Sequence, residues 1–208
     1  MIGKALTVGA GVQVREALEA AHAKGLVVVG GDSSSVGLAG GYTQGGGHGP
    51  LVSKFGLAAD QVLEWEVVTA TGLQIKASAT QNSDLYWALS GGGGGTYGIV
   101  VSATVKAHPD SQVTVASLSF FNPDQTSDAF YNTIKIFLAS LTNIIDSGAV
   151  AIWLLTNEIF MIQSITAPGK SAAEVRSWLN TTFERLEVEE IPYSKCRMTR
   201  AAIGNTRG

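Results

Sequence analysis

The run Gly40-Gly41-Tyr42-Thr43-Gln44-Gly45-Gly46-Gly47-His48-Gly49-Pro50 decides how this chain is read. A backbone so poor in Cβ atoms lets peptide N–H groups come close to a ligand, so the stretch reads as a cofactor loop. A second glycine cluster at residues 91–95 closes a short helical pattern and leads through Thr96-Tyr97-Gly98 into the apolar strand pattern Ile99-Val100-Val101. Flexible linkers do not explain two such loops within about fifty residues of each other.

Working outward from the first loop, an apolar run at residues 5–8, a turn at residues 9–11 and the helical spacing of Val14, Ala17, Leu18 and Ala21 predict strand, turn and helix, with Gly25 as the stop. Residues 26–29 form a continuous apolar run that reads as a strand ending in the turn Gly30-Gly31-Asp32. On the other side, residues 61–70 and 73–77 flank Thr71-Gly72 as a hairpin, which predicts an antiparallel sheet. Asn82 is placed to cap a short helix holding Leu85, Trp87, Ala88 and Leu89, with Asp84 in its first turn. Trp65 and Trp87 are expected in the core. The strand over residues 98–107 should break at His108-Pro109.

Beyond Pro109 the glycine clusters stop and the pattern becomes strand at residues 113–120, helix, hairpin and helix, which marks a second unit. Asn122-Pro123 should begin a helix with Phe130, Ile134, Phe137, Leu138 and Leu141 on one face. Residues 150–155 and 159–165 are strand candidates, and Ser171-Ala172-Ala173-Glu174 is a capping box ahead of Val175, Trp178, Leu179, Phe183 and Leu186. From Ile191 the periodicity fails, and the end carries Lys195, Arg197, Arg200 and Arg207, so a frayed or truncated tail is expected.

The chain has 208 residues, of which 45% are hydrophobic and only 15% charged, against roughly 25% charged in an average globular domain. A chain of this size buries about 70% of its unfolded surface, enough for one large domain or one domain and part of another. Net charge is −3 with both signs interspersed, which offers no positive surface to a phosphodiester backbone and argues against a nucleic-acid partner. No stretch reaches the roughly 18 consecutive apolar residues of a membrane span, so no membrane partner is expected. Cys196 is the only cysteine, which excludes an internal disulfide framework and a Cys-rich zinc site. No secretory signal opens the chain, and the sequon Asn180-Thr181-Thr182 matters only in a secreted protein, so the compartment stays open.

Three constellations compete for the chemistry. Gly9-Ala10-Gly11 follows a strand, opens a helix and has Asp32 about twenty residues on, the outline of a dinucleotide-binding turn. Val14 stands where its third glycine belongs, however, and the plainer reading is a tight strand-to-helix turn. Ser33-Ser34-Ser35 lacks nucleophile-elbow glycines, and His22, His48 and His108 are too far apart for a local metal pair. The third constellation is the loop at residues 40–50 with its downstream partners.

Those partners are Phe55-Gly56-Leu57-Ala58-Ala59-Asp60-Gln61-Val62 and Asp84-Leu85-Tyr86-Trp87-Ala88-Leu89 with the second glycine cluster. Together with Val36-Gly37-Leu38-Ala39 and the loop itself, in this order and spacing, they resemble the FAD-binding domain of the vanillyl-alcohol oxidase and p-cresol methylhydroxylase (PCMH-type) flavin oxidases. The nearest subgroup is the fungal berberine-bridge-enzyme-like and glucooligosaccharide-oxidase-like proteins, and the likeness spans residues 5–110. It implies FAD as cofactor, with Gly40, Gly41, Tyr42, Gly45, Gly46, Gly47 and His48 on the flavin and ribityl side. Gly98, Ile99 and Val100 would meet the adenine end, and Asp60 would hold the local backbone or a cofactor hydroxyl.

The implied fold is α+β: the second subdomain of a PCMH-type FAD-binding domain over residues 1–109, the start of an antiparallel-sheet-plus-helices substrate domain over 110–190, and a tail over 191–208. The implied reaction is oxidation of an alcohol, sugar or amine-type carbon of a small-molecule substrate, with oxygen as acceptor; the alternative is a non-catalytic remnant that does not retain FAD. Relatives with a doubly attached flavin carry a cysteine shortly before Val36-Gly37, where this chain has Ser33-Ser34-Ser35, so that thioether link is excluded. Their attachment histidine would lie upstream of Met1, and Ser90 stands where an arginine is common. The resemblance therefore implies a chain that begins and ends inside larger domains, and no residue in it is assigned as catalytic base. Strands such as residues 26–29 are then expected to expose apolar surface.

Overall fold

The computed structural model describes residues 3–122 and 128–202. Two compact units divide between Asp110 and Ser111. In chain order the first contains β1 (Ala5–Gly9), α1 (Val14–His22), β2 (Leu26–Val27), a wide helical turn over Leu38–Tyr42, α2 (Val52–Phe55), a tight turn over Ala59–Gln61, β3 (Val62–Val68), β4 (Gln74–Ser78), α3 (Ser83–Leu89), β5 (Ile99–Lys106) and β6 (His108–Pro109).

Its main sheet has the order β1-β5-β3-β4, antiparallel throughout. Period-two alternation explains its two faces. Val8, Trp65, Ala77, Ala103 and Val105 are buried on one. On the other, Thr7 Oγ1 meets Thr104 Oγ1 at 2.9 Å, Ser102 Oγ and Gln74 Nε2 donate to the Glu66 carboxylate, and Lys76 pairs with Glu64 at 2.8 Å. The two hydroxyl and amide donors hold the Glu66 carboxyl below the usual carboxylate range.

The antiparallel pairing of β1 with β5 disposes of the dinucleotide turn, because that motif needs parallel strands joined through the helix. β2 belongs instead to a separate ribbon with β6. Where the motif's third glycine is missing, the close approach is supplied from the opposite side: a Cβ on Gly30 would stand 2.8 Å from Val14 Cγ1. The four predicted apolar positions of α1, Val14, Ala17, Leu18 and Ala21, are its buried residues, and Gly25 follows at φ 67°.

Several expectations are corrected. Only Leu26 and Val27 of the apolar run are strand, yet Val27, Val28 and Val29 are all buried, so this run exposes no apolar face. Asn82 does not cap α3: it takes a left-handed conformation, φ 48°, and its Nδ2 donates to the Lys76 carbonyl at 2.6 Å. Trp65 is fully buried as expected, whereas Trp87 is 80% exposed. The strand over residues 98–107 does break there, β5 closing at Lys106, while His108-Pro109 form the separate short strand β6 paired with β2. Ser90, where the resemblance leads one to expect arginine, accepts from the Trp65 indole N–H at 3.3 Å and donates to the Tyr86 carbonyl at 2.8 Å, tying α3 to the buried tryptophan.

The second unit comprises β7 (Gln112–Phe121), α4 (Asp128–Asp146), β8 (Val150–Leu155), β9 (Ile159–Pro168), α5 (Ala172–Trp178), α6 (Asn180–Val188) and β10 (Arg197–Ala202). The sheet order is β10-β7-β9-β8, again antiparallel. Leu118 and Phe120 of β7, with Phe160, Ile162 and Ile165 of β9, form one core with Phe130, Ile134, Phe137 and Ile144 of α4 and with Val175, Leu179, Phe183 and Leu186. Phe160 sits at its centre, 5.1 Å from Phe120 and 5.4 Å from Phe137 by ring centroids. The Ser171 capping box forms as read, with Glu174 N–H donating to Ser171 Oγ at 3.2 Å and Ser171 N–H to Glu174 Oε2 at 2.8 Å. Of the helix expected from Asn122-Pro123, α4 is described from Asp128 to Asp146, and Pro123 lies outside the described residues. Periodicity fails from Ile191, but Arg197–Ala202 is a strand paired with β7.

Replacing Phe160 with Ala removes the ring on which these aromatics converge and should cost about 3–5 kcal/mol. Urea unfolding monitored by far-UV circular dichroism is expected to show this loss.

Candidate functional site

The glycine loops meet edge to edge. The carbonyl of Gln44 accepts amide hydrogens from Gly91 at 3.0 Å and from Gly93 at 2.9 Å, and a Cβ on Gly94 would lie 2.7 Å from Gly41 Cα. Within the first loop, Thr43 and Gln44 are buried and point back at the turn before them: Thr43 Oγ1 donates to the Leu38 carbonyl at 2.5 Å and Gln44 Nε2 to the Ala39 carbonyl at 3.2 Å. The turn is broken at Gly40 (φ −83°, ψ −147°). The far end of the loop is pinned by Ala59 N–H to the Gly46 carbonyl and Ala58 N–H to the Gly47 carbonyl, both at 2.9 Å.

Each expected site residue has a definite place. Tyr42 inserts its ring between Gly31 and Gly47, where added Cβ atoms would come within 2.9 Å and 3.0 Å of it. Gly46 and Gly47 have φ values of 104° and 75°, which L side chains rarely adopt. His48 is exposed. Asp60 lies outside the loop contacts and closes its own turn, Oδ2 accepting from Leu57 N–H at 2.8 Å. Gly98 and Ile99 line a groove of about 260 Å³ with Val68, Thr69, Ala70 and residues 95–97. Val100 is buried and Ile99 is 72% exposed, as alternation requires.

The loops' link through the Gln44 backbone carbonyl was not read from the sequence, because a main-chain acceptor leaves no mark on residue type. A second missed group is His108, whose ring stacks on Phe55 at 3.9 Å. Its Nε2 lies 2.9 Å from Gln61 Oε1. Gln61 Nε2 donates to the Phe55 carbonyl at 2.6 Å and the Leu57 carbonyl at 3.3 Å, so Oε1 is the acceptor and His108 carries its proton on Nε2. Burial, and then the nearby Lys106 and Lys54 charges, push the His108 pKa down.

The residues fit FAD. Nothing lies within 4 Å of a Cβ built on Gly40 or Gly41, and neither has a positive φ, so packing within the chain does not demand glycine there. Bare backbone facing open space suits a flat ring and a pyrophosphate. Gln44 Oε1 is buried with no hydrogen-bond partner, an acceptor that a ribityl hydroxyl or a ring N–H would satisfy. No group of three or more metal-ligating side chains gathers among the described residues, and no helix among them is long and apolar enough to cross a membrane.

The model of a family described as FAD binding domain matches residues 2–78. The chain is 50% identical to the FAD-linked oxidoreductase patO of Aspergillus clavatus over 191 residues, 92% of this chain and 33% of that protein. Among solved structures it resembles the VAO-type flavoprotein MtVAO615 of Myceliophthora thermophila C1, with a TM-score of 0.88 and 39% identity over 95% of this chain and 36% of that one. The BBE-like 1 protein of Physcomitrella patens superposes with a TM-score of 0.74 and 25% identity, over 96% of this chain and 41% of that one. The chain therefore carries a PCMH-type FAD-binding domain whose homologues are FAD-linked oxidoreductases, and FAD is the cofactor of that domain. It spans about a third of the length of patO.

Substituting Gly94 with Ala forces a Cβ onto Gly41 Cα and should destabilise the first unit by about 1–3 kcal/mol, measurable as a lower denaturation midpoint. His108 folds in its neutral form, so its contribution to stability is present above its ordinary pKa of 6.5 and is lost as pH falls below that value. His108→Gln should flatten that part of the stability–pH profile.

Proposed function

We propose that the protein is the FAD-holding part of a flavin-dependent oxidase that takes hydride from an alcohol, sugar or amine-type carbon of a small molecule, with oxygen as acceptor. The observation that carries this reading is the open backbone at Gly40 and Gly41, held rigidly by the Gln44 carbonyl and by Gly94. Gly40, Gly41, Tyr42, Gly45, Gly46, Gly47 and His48 line the flavin and ribityl side; Gly98, Ile99 and Val100 form the adenine end. Asp60 acts one step removed by fixing the turn that holds Gly46 and Gly47. FAD, when bound, would supply the two-electron chemistry: it would take up the substrate's hydride and deliver the electron pair to oxygen, which with two protons becomes hydrogen peroxide.

The chain's own part is geometric. Thr43 and Gln44 tie the loop to the Leu38 and Ala39 carbonyls, and Tyr42 packs between Gly31 and Gly47. The second unit, Ser111–Ala202, is the start of the substrate domain in this reading.

FAD titration of the purified protein, read by quenching of flavin fluorescence, tests the reading beside an NADH control. Binding of FAD and not of NADH is expected. Gly41→Ala should weaken FAD binding at least tenfold with an unchanged melting temperature, because the added Cβ meets no protein atom within 4 Å. A folded protein that ignores FAD would instead support a remnant that keeps the fold without the cofactor.

A further inference from the structure

The second unit's sheet has a covered face and an open one. Ala116, Leu118 and Phe120 of β7, Phe160 and Ile162 of β9, and Cys196 and Met198 pack into the core. Side chains alternate along a strand, and residues directly opposed across an antiparallel ladder share a face. Ser117 and Ser119 therefore stand on the open face, together with Arg197, which is registered opposite Ser117. Lys195, two residues before Arg197, has the same parity.

Ser117, Ser119, Ser194, Lys195 and Arg197 line a groove of about 290 Å³. No carboxylate lines it, and neither cation takes part in an ion pair among the described residues. Ser194 Oγ accepts from Ser119 N–H at 2.9 Å, which leaves its own proton to be donated. The groove thus gathers an ammonium, a guanidinium and hydroxyls with no acidic counterpart. Such a set is complementary to an oxyanion, and the planar guanidinium to a carboxylate in particular.

Apolar surface adjoins the groove on the same face. Ser119 is opposed to Met161 of β9, and Met161 to Leu154 of β8, whose side chain is 53% exposed. Two strand spacings separate the serine from the leucine, about 10 Å, the reach of a short aliphatic or single-ring body.

We propose that this groove binds a small organic acid, its carboxylate at Arg197 and Lys195 and its apolar body across Met161 toward Leu154. The site lies wholly within the second unit and does not depend on the flavin, so it stands or falls separately from the oxidase reading.

Hexanoate is the probe, titrated into the full chain by calorimetry at fixed ionic strength, with inorganic phosphate as the comparison. Saturable hexanoate binding is expected, with phosphate at least tenfold weaker because it cannot use Met161 and Leu154. The double variant Lys195→Gln, Arg197→Gln should weaken hexanoate by about tenfold or more, and Leu154→Ser should weaken it without altering the response to phosphate. Circular dichroism establishes that each variant is folded. Absent hexanoate binding, equal binding of phosphate, or hexanoate binding unchanged in the folded double variant overturns the proposal.

Discussion

The carbonyl of Gln44 accepts hydrogens from Gly91 and Gly93, and the first unit is arranged around that shared acceptor. Each bond contributes only about 1 kcal/mol net. Their weight is geometric, because they bring one glycine cluster against another until Gly94 rests on Gly41 Cα. A side chain at Gly94 would hold the segments apart. The same logic recurs where Gly49 passes Gly30, a place at which a Cβ would fall 2.2 Å from a carbonyl oxygen. Backbone packed on backbone leaves few ways to relax, which gives the loop a fixed shape without a hydrophobic core of its own.

This explains what the sequence disclosed and what it withheld. Periodic elements were legible: the buried residues of α1 are the four positions that spacing named, and the hairpin of β3 and β4 turns where Thr71-Gly72 stands. Burial of an amphipathic face is written into local spacing, so a linear reading finds it. Asn82 was misread because its side chain answers a distant carbonyl, that of Lys76, and not its own helix. Trp87 was misread because hydrophobicity alone does not say which side of a short helix meets the core. β10 was missed for a related reason: an edge strand with Arg197, Thr199 and Arg200 exposed is held by its ladder with β7, and a ladder leaves little mark on composition.

The two units solve the same architectural problem differently. The second closes one face of its sheet with helices and an aromatic cluster, leaving an open face of serines, cations and isolated aliphatics. On the polar face of the first unit's sheet, hydroxyls and a carboxylate bond to one another, and the unit's close backbone packing is concentrated in its glycine-rich loops. A sheet held by side-chain burial tolerates variation in volume. Loops held by backbone contact tolerate almost none, which is a suitable property for a surface that must present amides in fixed positions.

Glycine counts therefore mislead when taken as a functional signal. At Gly47, Gly49, Gly94 and Gly98 the missing Cβ is accounted for by atoms of this chain, each within 2.7 Å of where it would stand. Those glycines would be needed whether or not a ligand ever arrived. At Gly40 and Gly41 no atom within 4 Å of a built Cβ and no positive φ accounts for the residue type. A ligand that needs bare backbone at this point of the loop accounts for them. A bound cofactor is favoured by those two positions more than by the length of the glycine run, because within the loop they are bare backbone that faces open space.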